Sequence, residues 1–198
     1  MRSIFDFVIQ PKQSRYSNVK KVGDKELILN TEIFNHQYVS REATVLQTPI
    51  KFDTPISIGD NVIVHHNIFR RWHNVRGEEK NSKSYLSENK YLCQPDQLYL
   101  YKKNNKWIPQ SGFCFVKPIE NNDTFNVDKE KPLVGVLKYA GDDLNALGLN
   151  ENDLVGFSPN SEFEFVIDGE RLYRVLTNSI TIKYEYQGQE KEYNPSWV

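Results

Sequence analysis

Residues 163–175 read "FEFVIDGERLYRV", two runs rich in β-branched and aromatic residues on either side of Asp168-Gly169. Asp-Gly between such runs signals a hairpin, because a two-residue turn that matches strand twist needs positive φ at both positions. The same residue types recur in residues 5–9, 43–46, 61–65, 112–116, 134–137 and 179–184. Helical periodicity is nearly absent, and only residues 143–147 fit a turn of helix, closed by Gly148. The expected fold class is all-β.

The two halves also match each other in order. "FVIQP" (7–11) matches "FVKP" (115–118), and Thr44-Val45-Leu46 matches Gly135-Val136-Leu137. The polar turn before residues 61–62 matches the one before residues 154–155. Tyr91 and the run at 98–100 match Tyr173 and the run at 180–182. The offset is 107 from Pro11 to Pro118, 91 from Val45 to Val136, 93 from Asp60 to Asp153 and 82 from Tyr91 to Tyr173. The first half therefore carries two insertions. One contains Leu27, Ile28 and Leu29; the other is residues 73–90, a polar loop or hairpin. Connections tolerate length change and cores do not, so a difference in function between the halves belongs in these insertions.

In 198 residues, 38% are hydrophobic, and eleven Phe and eleven Tyr supply a core for one large domain or two of about 100 residues. Net charge is −1, so no global field recruits nucleic acid or an anionic membrane. No apolar run reaches the length of a membrane span, and the N-terminus does not read as a signal peptide. The expectation is a cytoplasmic protein with no membrane or nucleic-acid partner. Cys93 and Cys114 lack a CxxC spacing and read as two buried thiols.

The order of these landmarks resembles the chaperonin-10 (GroES) family, repeated in tandem. In the first half "FVIQP", "ELILNT", "REATVLQTP", "IGDNVIVH" and "KYLCQPDQLYLY" follow the family order. In the second, "CFVKPI", "LVGVLKYAG", "ENDLVGF" and "LYRVLTNSITIKYE" do so. The resemblance implies two tandem GroES-like, partly open β-barrels. The first is expected over residues 1–103 with a long mobile loop at about 18–40, and the second, shorter one over 107–185. Residues 186–198 form a C-terminal extension. It further implies a homo-oligomeric co-chaperonin, without cofactor or enzymatic activity, that caps a GroEL-type chaperonin ring and assists protein folding. The tandem arrangement is similar to plastid double co-chaperonins, whereas the divergence and the Tyr- and Asn-rich character look more like a phage-encoded version, which would act in the host cytoplasm. The second half departs from the family pattern, since residues 121–131 stand at the loop position without an apolar triplet. The first lacks the Gly-Gly that precedes the family triplet, having Asp24-Lys25-Glu26 instead.

Leu27, Ile28 and Leu29 have two readings, a buried strand or an exposed partner-binding tripeptide. Ile33-Phe34 either extend that contact or begin a packed strand. His65 and His66, adjacent in an expected strand, are expected to face opposite sides and not to share a metal. Residues 70–76, with Arg70, Arg71, Trp72, His73 and Arg76, form a basic-aromatic cluster. It fits either a phosphate-and-base contact or a solvated rim. No nucleotide-binding or hydrolase motif occurs. A different class of function, a structural or interaction protein that reuses the barrel pair, for example in virion assembly, fits the same residues.

Overall fold

The computed structural model describes residues 3–16, 19–23, 25–28, 38–121, 129–185 and 190–193, with residues 19–22 and 26–28 as backbone only. Among them the protein is all-β with one four-residue helix, and no helix is long and apolar enough to cross a membrane. The chain divides into two compact units, Met1–Lys106 and Trp107–Val198.

The first unit holds β1 (Phe7–Pro11), β2 (Val19–Val22), β3 (Lys25–Ile28), β4 (Glu42–Gln47) and β5 (Asn61–Val64). It continues with β6 (Arg71–His73), β7 (Glu79–Asn81), β8 (Tyr85–Ser87), β9 (Lys90–Cys93) and β10 (Leu98–Lys103). Next, β11 (Lys106–Pro109) carries the unit boundary. The second unit holds β12 (Phe113–Glu120), β13 (Glu130–Tyr139), α1 (Asp142–Asn145), β14 (Leu154–Phe157), β15 (Phe163–Ile167), β16 (Glu170–Leu176) and β17 (Ile180–Tyr184). The larger sheet has the order β11-β10-β5-β4-β1-β9-β8, and the six-stranded sheet β15-β16-β12-β13-β14-β17. Two separate two-stranded ribbons, β2-β3 and β6-β7, complete the set.

Read from β10 and from β17, the two sheets have one topology, and the register repeats with it. Ile9 stands opposite Val45 and Tyr91, as Val116 stands opposite Leu137 and Tyr173. Ala43 faces Val62 as Gly135 faces Val155, and Ile63 faces Leu100 as Gly156 faces Ile182. One irregularity coincides as well, because the β5–β10 and β14–β17 pairs both slip by one residue, between Leu98 and Leu100 and between Ile180 and Ile182. The sequence match pairs Val45 with Val136; the register pairs it with Leu137. Position on the ladder is what repeats, and side-chain identity at that position has drifted.

Each core follows from strand alternation. In the second unit Cys114, Val116, Leu137, Val155, Phe157 and Val175 pack into one buried cluster, closed by Leu144 of α1. In the first, Phe7, Ile9, Val45, Val62, Leu98 and Leu100 are buried, and Tyr91 meets Phe69 edge-on with centroids 4.9 Å apart. Each such side chain contributes about 1.5–3 kcal/mol by leaving water. Turn chemistry sets the hairpins: Asp168 (φ 50°) and Gly169 (φ 80°) are both left-handed, and Ile167 pairs with Glu170 across them. The Asp168 carboxylate also accepts the Trp107 indole N–H at 2.8 Å.

The insertions are visible against this frame. From Pro11 to its partner Ala43 the chain advances 32 residues, and from Pro118 to Gly135 only 17. Between β5 and β9 the added element is the β6–β7 ribbon; β8 has its counterpart in β15. Past β17, residues 191–193 return to β12. Glu120 donates its N–H to the Lys191 carbonyl at 2.7 Å, Tyr193 donates to the Pro118 carbonyl at 2.9 Å, and Lys117 pairs with Glu192 at 2.6 Å. Residue 197, the tail tryptophan, lies outside the described residues.

Candidate partner-binding site

The long β1–β4 connection leaves the sheet as two antiparallel segments laced by backbone hydrogen bonds. Lys12 donates its N–H to the Glu42 carbonyl at 3.1 Å, Ser40 donates to the Arg15 carbonyl at 2.9 Å, and Tyr16 bridges to Val39. Tyr16 and Val39 are both buried, so the base of the connection is anchored by apolar contact as well as by backbone bonds. Beyond it, β2 and β3 pair antiparallel, with Lys20 opposite Leu27 and Val19 opposite Ile28; Gly23 takes the left-handed conformation at the tip (φ 62°). Leu27 and Ile28 thus belong to a two-stranded ribbon. Leu29, with Ile33-Phe34, lies outside the described residues.

The second insertion is a hairpin whose tip is set by Asn74. The Asn74 carboxamide oxygen accepts the N–H groups of Arg76 and Glu78 at 2.9 and 3.0 Å, and Gly77 (φ 76°) supplies the left-handed residue. Arg71–Glu79 (2.9 Å) and Lys80–Glu78 (3.1 Å) run along its sides. Lys80 and the Asn74 Nδ2–H, which donates to Glu78 Oε2 at 2.9 Å, hold the Glu78 carboxyl below its ordinary range.

The two insertions meet. Arg71 donates its backbone N–H to the Tyr16 hydroxyl at 2.8 Å, and its guanidinium stacks on the Tyr16 ring at 4.9 Å. Arg15 donates Nε–H to the Phe69 carbonyl at 3.1 Å and Nη1–H to the Asn81 side chain at 2.8 Å, with its guanidinium 5.2 Å from the Tyr91 ring centre. Burial pushes the Tyr91 phenol up, although the Arg15 charge pulls the other way. Charged and aromatic groups therefore bind the root of the β1–β4 connection to the root of the β6–β7 ribbon. Sequence reading singles out Arg71 and Trp72 but not Arg15, Tyr16 or Asn81. The available signal is that both insertions fall in the same repeat.

The remaining candidate residues have structural roles. β5 ends at Val64, and His65 turns the chain as the N-cap of a 3-10 turn, with Nδ1 accepting the Asn67 N–H at 3.0 Å. His65 and His66 therefore stack face to face, centroids 4.4 Å apart, where alternation along a strand would separate them. Among the described residues no three His, Cys, Asp or Glu side chains gather as a metal site. Asp143 accepts the N–H groups of Leu144 and Gly112 and so ties α1 to the residue that precedes β12. Cys93 and Cys114 are buried free thiols. Comparison with protein-family models gives no match for the chain, and comparison with curated proteins gives none either.

Proposed function

We propose that the protein is a co-chaperonin of the GroES type, which docks on a GroEL-type chaperonin ring through the connection carrying Leu27, Ile28 and Leu29 and so assists folding. The supporting observation is the contrast between repeats. Strand order agrees throughout and register agrees from Ile9 and Val116 outward to β10 and β17, while the first repeat alone spans 32 residues between Pro11 and Ala43, with an anchored root. Extra chain on a complete frame serves something other than the frame.

Three buried aliphatic side chains yield about 1.5–3 kcal/mol each. Ordering the connection and associating two bodies cost several kcal/mol in return. One such contact is weak, so the reading requires several copies bound at once, with avidity supplying the rest. A homo-oligomer in the cytoplasm is part of the proposal, as are barrel closure of both sheets and the absence of a cofactor or chemistry of its own.

The test is native mass with and without a GroEL-type ring, together with the ring's ATP turnover. The full chain should associate and slow turnover, and a Leu27→Ser, Ile28→Ser, Leu29→Ser triple variant should fold and do neither. A stable monomer that never associates removes the reading. The pairing of Leu27 with Lys20 and of Ile28 with Val19 favours a second reading, an interaction protein, for example in virion assembly, that presents a ribbon rather than an extended tripeptide. Under that reading amides 19–28 exchange slowly and the ring is ignored.

A further inference from the structure

Among the described residues four strands end the two large sheets, β8 and β11 in one and β15 and β17 in the other. β8 and β15 are counterparts, so an edge at that side belongs to the common frame. β10 and β17 are counterparts as well, yet β10 has a further strand beyond it and β17 ends its sheet. Burial follows that difference. Leu100 is fully buried, and Ile182, which holds the same ladder position, is 48% exposed. Thr181, Lys183 and Tyr184 are exposed too, whereas Leu98 to Tyr101 are all buried. The second unit thus ends in a strand whose counterpart is an interior one.

Edge strands are commonly guarded against added strands by prolines, lysines or bulges. β17, Ile-Thr-Ile-Lys-Tyr, has no proline and is of β-forming composition. Its lysine is turned back on its own unit, since Lys183 pairs with Asp153 at 2.6 Å and donates to the Gly148 carbonyl at 2.8 Å. The one-residue slip against β14 has its equal between β5 and β10, and β10 takes a further strand in spite of it. None of the usual guards closes this edge.

The composition of the edge suits a second copy of itself. Antiparallel pairing about a two-fold axis at Ile182 sets Ile182 opposite the partner's Ile182 and Thr181 opposite the partner's Lys183, with no like charges opposed. Tyr184 then stands diagonally beside the partner's Ile182. Both side chains belong to the face bared by Gly156, where an added Cβ would lie 3.5 Å or less from each. Pairing of this kind uses the same edge in both chains and leaves none to extend, so it closes at two.

We infer that the outer edge of β17 is the contact surface of a symmetric dimer, in which two copies join their six-stranded sheets antiparallel through Ile180–Tyr184. The chaperonin reading is not needed for this pairing, and a chain that ignores the ring can still form it.

The test is native mass and amide exchange of the full chain from about 1 to about 100 µM, a range suited to a short strand contact. Mass should rise from one chain to two, and amides 180–184 should slow with it. Facing Cα atoms of an antiparallel pair are about 4.5–5.5 Å apart, within reach of a disulfide. Ile182→Cys should therefore cross-link to a covalent dimer under mild oxidation, the native thiols being buried. Ile182→Lys, which opposes two ammonium groups on the axis, should weaken the dimer about tenfold or more while circular dichroism stays unchanged. A monomer at every concentration overturns the inference. So does a dimer whose amides 180–184 exchange as in the monomer. An oligomer that protects these amides but does not cross-link through Ile182→Cys shows that a different segment covers the edge, and it too overturns the symmetric pairing.

Discussion

Asp60 and Asp153 make the same turn 93 residues apart. Each carboxylate accepts the backbone N–H three residues earlier, from Ser57 or Asn150, at 2.7 Å, and each pairs with a lysine, Lys103 at 2.8 Å or Lys183 at 2.6 Å. The lysines do not occupy equivalent ladder positions, since the register counterpart of Lys183 is Tyr101. The carboxylate is thus the repeated part and its cation was found twice. Asp60→Ala and Asp153→Ala should each cost about 1–2 kcal/mol, read by denaturant unfolding. For Asp153, burial alone would raise the pKa, but the Lys183 bond and the Asn150 N–H outweigh it and hold the carboxyl low. A lowered folded value means this contribution is present above the unfolded range near pH 4 and is lost as pH falls through the folded value. Wild type and Asp153→Asn should therefore converge in stability at low pH. A constant difference down to pH 2 contradicts the assignment.

Gly135 and Ala43 share a ladder position opposite proline, yet they are not interchangeable. A Cβ on Gly135 would lie 2.5 Å from Val116 Cγ1 and closer still to the Lys117 carbonyl oxygen. Gly135→Ala should destabilise the second unit by about 2 kcal/mol through overpacking. The reverse change, Ala43→Gly, should cost about 1 kcal/mol or less. Equal effects in urea unfolding would show that the two backbones are more alike than the contact implies.

Arg171 is a buried cation with two anionic partners. It donates to Glu130 at 2.7 Å and Glu164 at 2.9 Å, and Tyr173, whose hydroxyl bonds Glu130 at 2.7 Å, closes the ring of contacts. Replacing it by Leu leaves carboxylates without their cation and should cost about 3 kcal/mol. Lysine, a point charge without the planar fork, should recover only part. Thermal unfolding of both variants decides it, and a loss below about 1 kcal/mol for Arg171→Leu counts against the network.

The thiols should be silent in the folded chain. Burial pushes the Cys114 thiol up to about 12, with Asp143 adding to the effect, and burial raises Cys93 as well. At pH 8 a disulfide reagent should modify neither residue in native protein and both in urea, because the thiolate is the reactive form. Rapid reaction without denaturant would place at least one sulfur nearer the surface.

Much of this architecture is legible in the chain before it folds. Phe163 to Val175 announces its hairpin through Asp168-Gly169, and the duplication emerges from turn residues such as Asp60 and Asp153. The register error at β4 has a physical cause: Val136 and Leu137 are both apolar, so residue type cannot say which one sits opposite Val116. His65 misleads because a strand-forming run continues past Val64, where the histidine Nδ1 offers the backbone a turn instead. In the candidate site, unequal spacing reveals that material was added but not where it goes. The Arg71–Tyr16 bond spans 55 residues and uses a backbone donor, so no pairing of side-chain types betrays it. The return of residues 191–193 to β12 is hidden for the same reason.

The longer β1–β4 connection is thermodynamically inexpensive. Going from 17 to 32 residues between partnered strand ends roughly doubles a loop, and loop-closure entropy charges only about 0.6 kcal/mol for a doubling. One hydrogen bond of the kind that Arg71 makes to Tyr16 returns about that much. The frame can therefore gain, lengthen or exchange such an appendage with little consequence for folding.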